Sequence, residues 1–219
     1  SSMSSNNDYN DLQWLDRKGS SHDLSFLRSQ ADLLIRQHLN ETIKTFQYVD
    51  IGYNNLIFFI DTVESTEQYV LKVGGQYWVS SKTEDEVRAL QLLAQHTTIP
   101  VPRVLAYSLD GHNDFGVGWI LMTRLPGESM LKICESRSMS VTALRSIIED
   151  LSDFIAQMHF DIPRQQQIGT FRLDGRIDVD SNGLGPWSTF GQYVRDRARL
   201  EIRTIEEHPA FAPIRETLL

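Results

Sequence analysis

Lys72 is the side chain in this sequence that most needs a chemical explanation. It lies in Tyr69-Val70-Leu71-Lys72-Val73, an otherwise apolar run of strand-forming residues. Side chains alternate across a strand, so Lys72 shares a face with Val70. An ammonium in such a place is costly unless it is paired or reaches a cleft. The plain alternative is an edge strand with an exposed lysine. A partner is available on the next segment, KTEDEVRALQLLAQH. At about 100° per residue of helix, Ala89, Leu90 and Leu93 fall within about 60° of Glu86. Glu86 therefore points with the apolar face, while Glu84 and Asp85 point away. A strand lysine held by a carboxylate on the following helix is a device for gripping phosphate groups. A structural ion pair, or a Glu86 at the rim of the helix face, is the other reading.

The elements that must position these residues are legible from periodicity. Residues from Ser25 to His38 read as a short helix, with Leu27, Ala31, Leu34 and Ile35 at helical spacing and Ser25 as a candidate cap. Phe46 to Ile51, Leu56 to Ile60 and Tyr69 to Val73 read as antiparallel strands joined by turns. Thr83 to Gln95 is a helix, and IPVPRVLAYS and WILMTRL are two more strands around the polar turn Leu109 to Gly118. After Pro126-Gly127 the pattern turns helical. Leu144, Ile147, Ile148, Leu151, Phe154, Ile155 and Met158 form a continuous stripe behind a Ser140 cap. Loops or a small hairpin fill Arg164 to Pro186, and a last helix runs from Thr189 to Glu207. Strands with one helix, then helices, predict an α+β fold of two lobes with a junction near Pro126. The expected partition is a polar tail and helix over 1–45, a first lobe over 46–126 and a helical second lobe over 127–219.

Composition narrows the function. The 219 residues carry a formal net charge of -8, with 41% hydrophobic and 23% charged residues. The acidic balance argues against nucleic acid and against an anionic membrane surface as partners. No apolar run approaches the length of a membrane span. Cys134 is the single cysteine, so an internal disulfide is excluded and a reducing, cytoplasmic setting is expected.

Five segments in order, DIGYNNLIFFI, YVLKV, EDEVRALQLL, IPVPRVLAYS and WILMTRLPG, resemble the N-terminal lobe of the aminoglycoside phosphotransferase and choline kinase-like family. DFIAQMHFD, IGTFRLDG and GPWSTFGQYV resemble the start of its second lobe, especially in fungal members. The resemblance implies a protein kinase-like fold: an N-lobe antiparallel sheet with one helix, followed by an incomplete helical C-lobe. It also implies ATP as cofactor, magnesium, and a small hydroxyl-bearing acceptor. On that pattern Gly52 to Asn55 would turn over the phosphates, with Asn54 and Asn55 supplying side chains. Lys72 would contact the phosphates and Glu86 would hold it. Val70 would touch the adenine, and Met122 would back the pocket. Thr123, Arg124 and Leu125 would form the hinge. Plain core packing is the alternative for Met122 and Leu125.

Asp114-Phe115-Gly116 repeats the tripeptide that holds magnesium in protein kinases, but it precedes the hinge. It is read as a hairpin turn, with Asp and Gly in turn roles. His159-Phe160-Asp161 is read as the end of a helix, and Asp161 and Asp174 as structural or loop residues. The expected catalytic aspartate loop and metal-binding aspartate are not found before Leu219, so no metal ligand is assigned within the chain. The expectation is a truncated phosphotransferase, inactive alone. The rival readings are a non-catalytic kinase-like interaction module and catalysis through Asp161 and Asp174. Uncovered helix faces at Leu144, Ile148, Leu151 and Ile155 predict self-association.

Overall fold

The computed structural model describes residues 23–49, 55–75, 81–109, 111–136, 139–180 and 182–218. These divide into two compact units, one ending at Pro163 and the other beginning at Arg164.

The first unit opens with helix α1 (Leu24–Leu39). Its N-cap is Asp23, whose carboxylate accepts from the Phe26 amide at 2.7 Å. Ser25, the residue expected to cap, instead donates its hydroxyl to the same carboxylate. The helix stops at Asn40, which takes a left-handed conformation at φ 57° and donates its amide to the Arg36 carbonyl. Five strands follow: β1 (Ile43–Val49), β2 (Asn55–Thr62), β3 (Gln68–Gly74), β4 (Val104–Ser108) and β5 (Trp119–Thr123). They pair antiparallel in the order β1-β2-β3-β5-β4. Helix α2 (Ser81–His96) connects β3 to β4. Helices α3 (Met130–Ser136) and α4 (Val141–Phe160) complete the unit.

The sheet has two different faces because its strands alternate. On β2, Leu56, Phe58, Ile60 and Thr62 are buried, while the residues between them are half-buried. Leu56, Phe58 and Ile60 pack with Tyr69, Leu71, Val73, Trp119 and Leu121 into a core that α1 covers with Leu27, Ala31 and Ile35. Phe46 stacks on Phe58 at 4.6 Å between ring centroids. The helix expected to belong with the polar tail is therefore part of this core. Pro126, the expected lobe junction, lies inside the first unit. There Gln157 of α4 accepts from the Thr98 amide at 2.7 Å and the Thr98 hydroxyl at 3.1 Å. Ser140 caps α4 through a bond from the Ala143 amide at 3.1 Å, as its position predicts.

In the second unit, β6 (Thr170–Phe171) and β7 (Ile177–Asp178) form a small hairpin, followed by α5 (Phe190–Glu207). A 3-10 turn (Pro209–Phe211) and α6 (Arg215–Leu218) end it. Trp187 is buried, edge-on to Tyr193, and donates its indole N–H to Asp196 at 3.0 Å. Among the described residues no helix is long and apolar enough to cross a membrane.

Candidate functional site

The second face of the sheet carries the residues singled out above. Antiparallel register places Phe59 opposite Val70, and Val70 opposite Met122. One step along, Ile57 faces Lys72, and Lys72 faces Ile120. Val70 and Met122 are buried outside the core that α1 covers. The result is an apolar row with one cation set into the next row. The Arg124 guanidinium lies 3.8 Å from the centre of the Phe59 ring, closing the far end of the apolar row.

The structure brings Lys72 and Glu86 together. The lysine Nζ donates to both oxygens of the Glu86 carboxylate. The side chains are 17% and 30% exposed, respectively. The buried residues of α2 are Val87 and Leu92, whereas Ala89, Leu90 and Leu93 are half-buried. Glu86 thus stands at the rim of the helix's buried face, and it meets the lysine there. Gly118 lets the helix come this close. The Gly74 amide donates to the Gly118 carbonyl at 2.8 Å. A Cβ on Gly118 would lie 2.5 Å from the Thr83 hydroxyl oxygen, in the first turn of α2.

Sequence reasoning missed Lys82. Its Nζ donates to Asn55 Oδ1 at 3.1 Å, tying the start of α2 to the first residue of β2. Burial lowers its pKa, and the neighbouring Lys72 charge lowers it further, against the pull of Glu86. The signal was available, since Lys82 and Glu86 are four apart and share a helix face. It was obscured because Lys82 opens the polar run KTEDE. Asn55 is in place at the end of β2, whereas Gly52, Tyr53 and Asn54 lie outside the described residues.

The segment expected to act as a hinge is anchored through its backbone. The Thr123 amide donates to the Arg103 carbonyl at 3.0 Å, and the Arg103 amide donates to the Thr123 hydroxyl at 2.9 Å. The Arg124 amide donates to the Gln68 carbonyl at 2.8 Å. Thr123 is buried and Leu125 is exposed.

Asp114-Phe115-Gly116 forms the tip of the β4–β5 hairpin. Asn113, not Asp114, organises it. The Asn113 side chain accepts from the Phe115 amide at 2.8 Å, and donates to Ser108 Oγ at 3.0 Å and the Val117 carbonyl at 2.9 Å. Gly116 takes φ 69°, which favours glycine. Phe115 turns inward and joins the core beside Trp119. Asp161 is the C-cap of α4, donating its amide to the Gln157 carbonyl at 2.9 Å. Asp174 sits in the β6–β7 turn and accepts from Arg176 Nε at 2.6 Å. Bonds from the Arg176 amide and side chain hold its carboxyl below the usual range. Among the described residues, no group of three or more His, Cys, Asp or Glu side chains is placed to hold a metal ion.

Comparison with known proteins adds a family, two relatives and two solved structures. The sequence profile of the phosphotransferase enzyme family matches residues 45–210. The chain is 25% identical over 191 residues to "Altered inheritance of mitochondria protein 9, mitochondrial" of Meyerozyma guilliermondii, covering 77% of this chain and 30% of that protein. Its counterpart in Debaryomyces hansenii is 26% identical over 121 residues, covering 51% and 19%. The fold is similar to the crystal structure of aminoglycoside phosphotransferase APH(4)-Ia, with a TM-score of 0.51 at 15% identity, over 78% of this chain and 50% of that one. A ternary complex of a thermostable mutant of that protein with AMP-PNP and hygromycin B matches equally well, with a TM-score of 0.51 at 14% identity. The chain thus spans about half of those solved chains and under a third of the fungal relatives. The cytoplasmic expectation is overturned, because both fungal relatives are named as mitochondrial. A lone cysteine constrains disulfide formation and carries no cellular address.

Proposed function

The chain belongs to the phosphotransferase enzyme family, and on that footing we propose that it carries the nucleotide-binding part of a small-molecule phosphotransferase, which moves the γ-phosphoryl of ATP to a substrate hydroxyl. The observation that carries this reading is the Lys72–Glu86 pair set beside an apolar row of Phe59, Val70 and Met122. A purine ring needs an apolar slot, and a phosphate chain needs an oriented cation next to it. Both are built into adjacent rows of one sheet face.

Each residue then has a defined task. Lys72 binds phosphate oxygens, and Glu86 holds its ammonium in place so that little ordering is left to do on binding. Val70 and Met122 line the adenine slot, with Asn55 at the phosphate end. The Thr123 and Arg124 amides are committed to the Arg103 and Gln68 carbonyls, so the hinge amide falls to Leu125. Magnesium would neutralise charge on the phosphates when bound; this reading assigns it to no residue of the chain. Mitochondrial naming of the fungal relatives supports a mitochondrial setting.

Thermal melting tests the reading. A ligand that binds only the folded chain at a hundred times its Kd adds about 2.7 kcal/mol of stability. Mg-ATP should raise the Tm of the chain, and the rise should vanish in Lys72→Ala and shrink in Glu86→Gln. An ATP-insensitive melt of the unaltered chain would overturn the reading and favour a non-catalytic interaction module.

A further inference from the structure

Helices α4 and α5 each leave an apolar row uncovered. On α4 the row is Ile148, Leu151, Ile155 and Met158, which are 47–63% exposed. On α5 it is Val194, Ala198 and Ile202, all exposed, with the half-buried Ile205. The helices are 20 and 18 residues long, and at a constant rise per residue the two rows cover nearly the same length. Rows of this kind on a folded chain mark a contact surface.

Charge borders both rows, and on the same side. At about 100° per residue, Arg145 and Glu149 lie about 100° and 140° round from the middle of the α4 row. In the same sense of rotation, Glu206 and Arg203 lie about 85° and 145° round from the middle of the α5 row. All four are exposed, and their side chains are long enough to reach back over the edge of an apolar contact. Two helices meeting face to face bring borders of the same sense together only when they run antiparallel. In that direction one register serves both rows: Ile148 meets Ile205, Leu151 meets Ile202, Ile155 meets the small Ala198, and Met158 meets Val194. The same register sets Arg145 against Glu206 and Glu149 against Arg203. Reversing the direction of either helix separates the two borders.

Both rows are exposed in the folded chain, so a partner for each must come from outside it. We infer that α4 of one copy takes α5 of a second copy as its partner, antiparallel, with the apolar rows in contact and the two charge pairs fixing direction and register. This inference does not depend on the nucleotide reading.

The test follows the full 219-residue chain by sedimentation velocity. One variant exchanges the α4 charges, Arg145→Glu with Glu149→Arg. A second exchanges those of α5, Arg203→Glu with Glu206→Arg. Neither alters the net charge, and the sites are exposed, so both should melt as the unaltered chain does. The unaltered chain should self-associate, and less tightly at high salt. Each variant alone should associate about tenfold more weakly, because two attractions become two repulsions. An equimolar mixture of the two variants should recover the unaltered affinity, because the exchanged α4 of one matches the exchanged α5 of the other. A monomeric unaltered chain at millimolar concentration overturns the inference and hands both faces to a different partner. Variants that associate as tightly as the unaltered chain overturn it too, since the rows then meet without regard to charge. A mixture no tighter than its components also overturns it, because the charges then act within one copy.

Discussion

Replacing Phe115 with alanine should damage the fold and leave the chemistry alone, the reverse of what its place in an Asp-Phe-Gly tripeptide suggests. Its ring is 5% exposed and packs among the core residues next to Trp119. Truncating a buried phenylalanine costs about 3–5 kcal/mol. The low end applies here, because a hairpin tip has more freedom to settle than the middle of a sheet. That freedom is limited by hydrogen bonds of the Asn113 side chain to Ser108, Phe115 and Val117, which keep the tip in its present shape. A loss of about 3 kcal/mol corresponds to a Tm lower by about 6–12 °C for a chain of this size. Asp114 is exposed, and Asp114→Ala should stay within about 0.5 kcal/mol of the unaltered chain. The assay is a pair of thermal melts, with ATP affinity measured well below both transitions. Phe115→Ala should melt early yet bind normally, and Asp114→Ala should do neither harm. A Phe115→Ala melt within a degree of the unaltered chain, or loss of ATP binding in a stable Asp114→Ala, would refute the reasoning.

Three further outcomes follow from the same geometry. Gly118→Val should push the first turn of α2 off the sheet, since its Cβ would meet the Thr83 hydroxyl at 2.5 Å and the Leu109 carbonyl at 3.0 Å. Overpacking of this kind costs about 1–3 kcal/mol and should weaken ATP binding by displacing Glu86; an unchanged Tm and affinity would show that the approach is not tight. Asp61 titrates below its ordinary 3.8 because Thr45 and then Gln68 donate to it. A depressed carboxylate adds stability above its unfolded pKa and loses it as pH falls through the folded value. The variant Thr45→Val with Gln68→Leu should therefore bring the NMR-measured pKa back towards 3.8 and remove part of the acid sensitivity below that pH; no movement would discount both bonds. Leu144, Ile148, Leu151 and Ile155 on α4 are 45–63% exposed. Light scattering should detect self-association rising with concentration and falling in Ile148→Glu, and a strict monomer at millimolar concentration would contradict this.

Much of this arrangement was legible because it rests on period and register. The alternation in β2 and the stripe of α4 each follow from one repeat. Ser140 was identifiable as a cap because a polar residue directly precedes the stripe. Helical arithmetic around Glu86 was enough to pair it with Lys72. The misses have local causes. Asp23 and Ser25 are both good caps, and choosing between them depends on which oxygen reaches the Phe26 amide. The apolar face of α1 was visible in Leu27, Ala31 and Ile35, but spacing along one helix does not name the sheet that covers it. The two-residue strands β6 and β7 are too short to carry a period. In the hairpin, Asp114 drew attention by its motif, while the bonding capacity that shapes the turn belongs to Asn113. Lys82 was passed over because a lysine in a charged run resembles any solvated helix face, and only the contact with Asn55 across the strand sets it apart.

The central claim is that Lys72, held by Glu86, forms the phosphate grip of a nucleotide site. A calorimetric titration of the folded chain with Mg-ATP, run in parallel on Lys72→Ala, tests it most directly. The account predicts saturable binding by the unaltered chain and a loss of at least about tenfold in the variant, the equivalent of 1.4 kcal/mol. Equal affinity in the two proteins, or no binding by a chain that melts cooperatively, would contradict it.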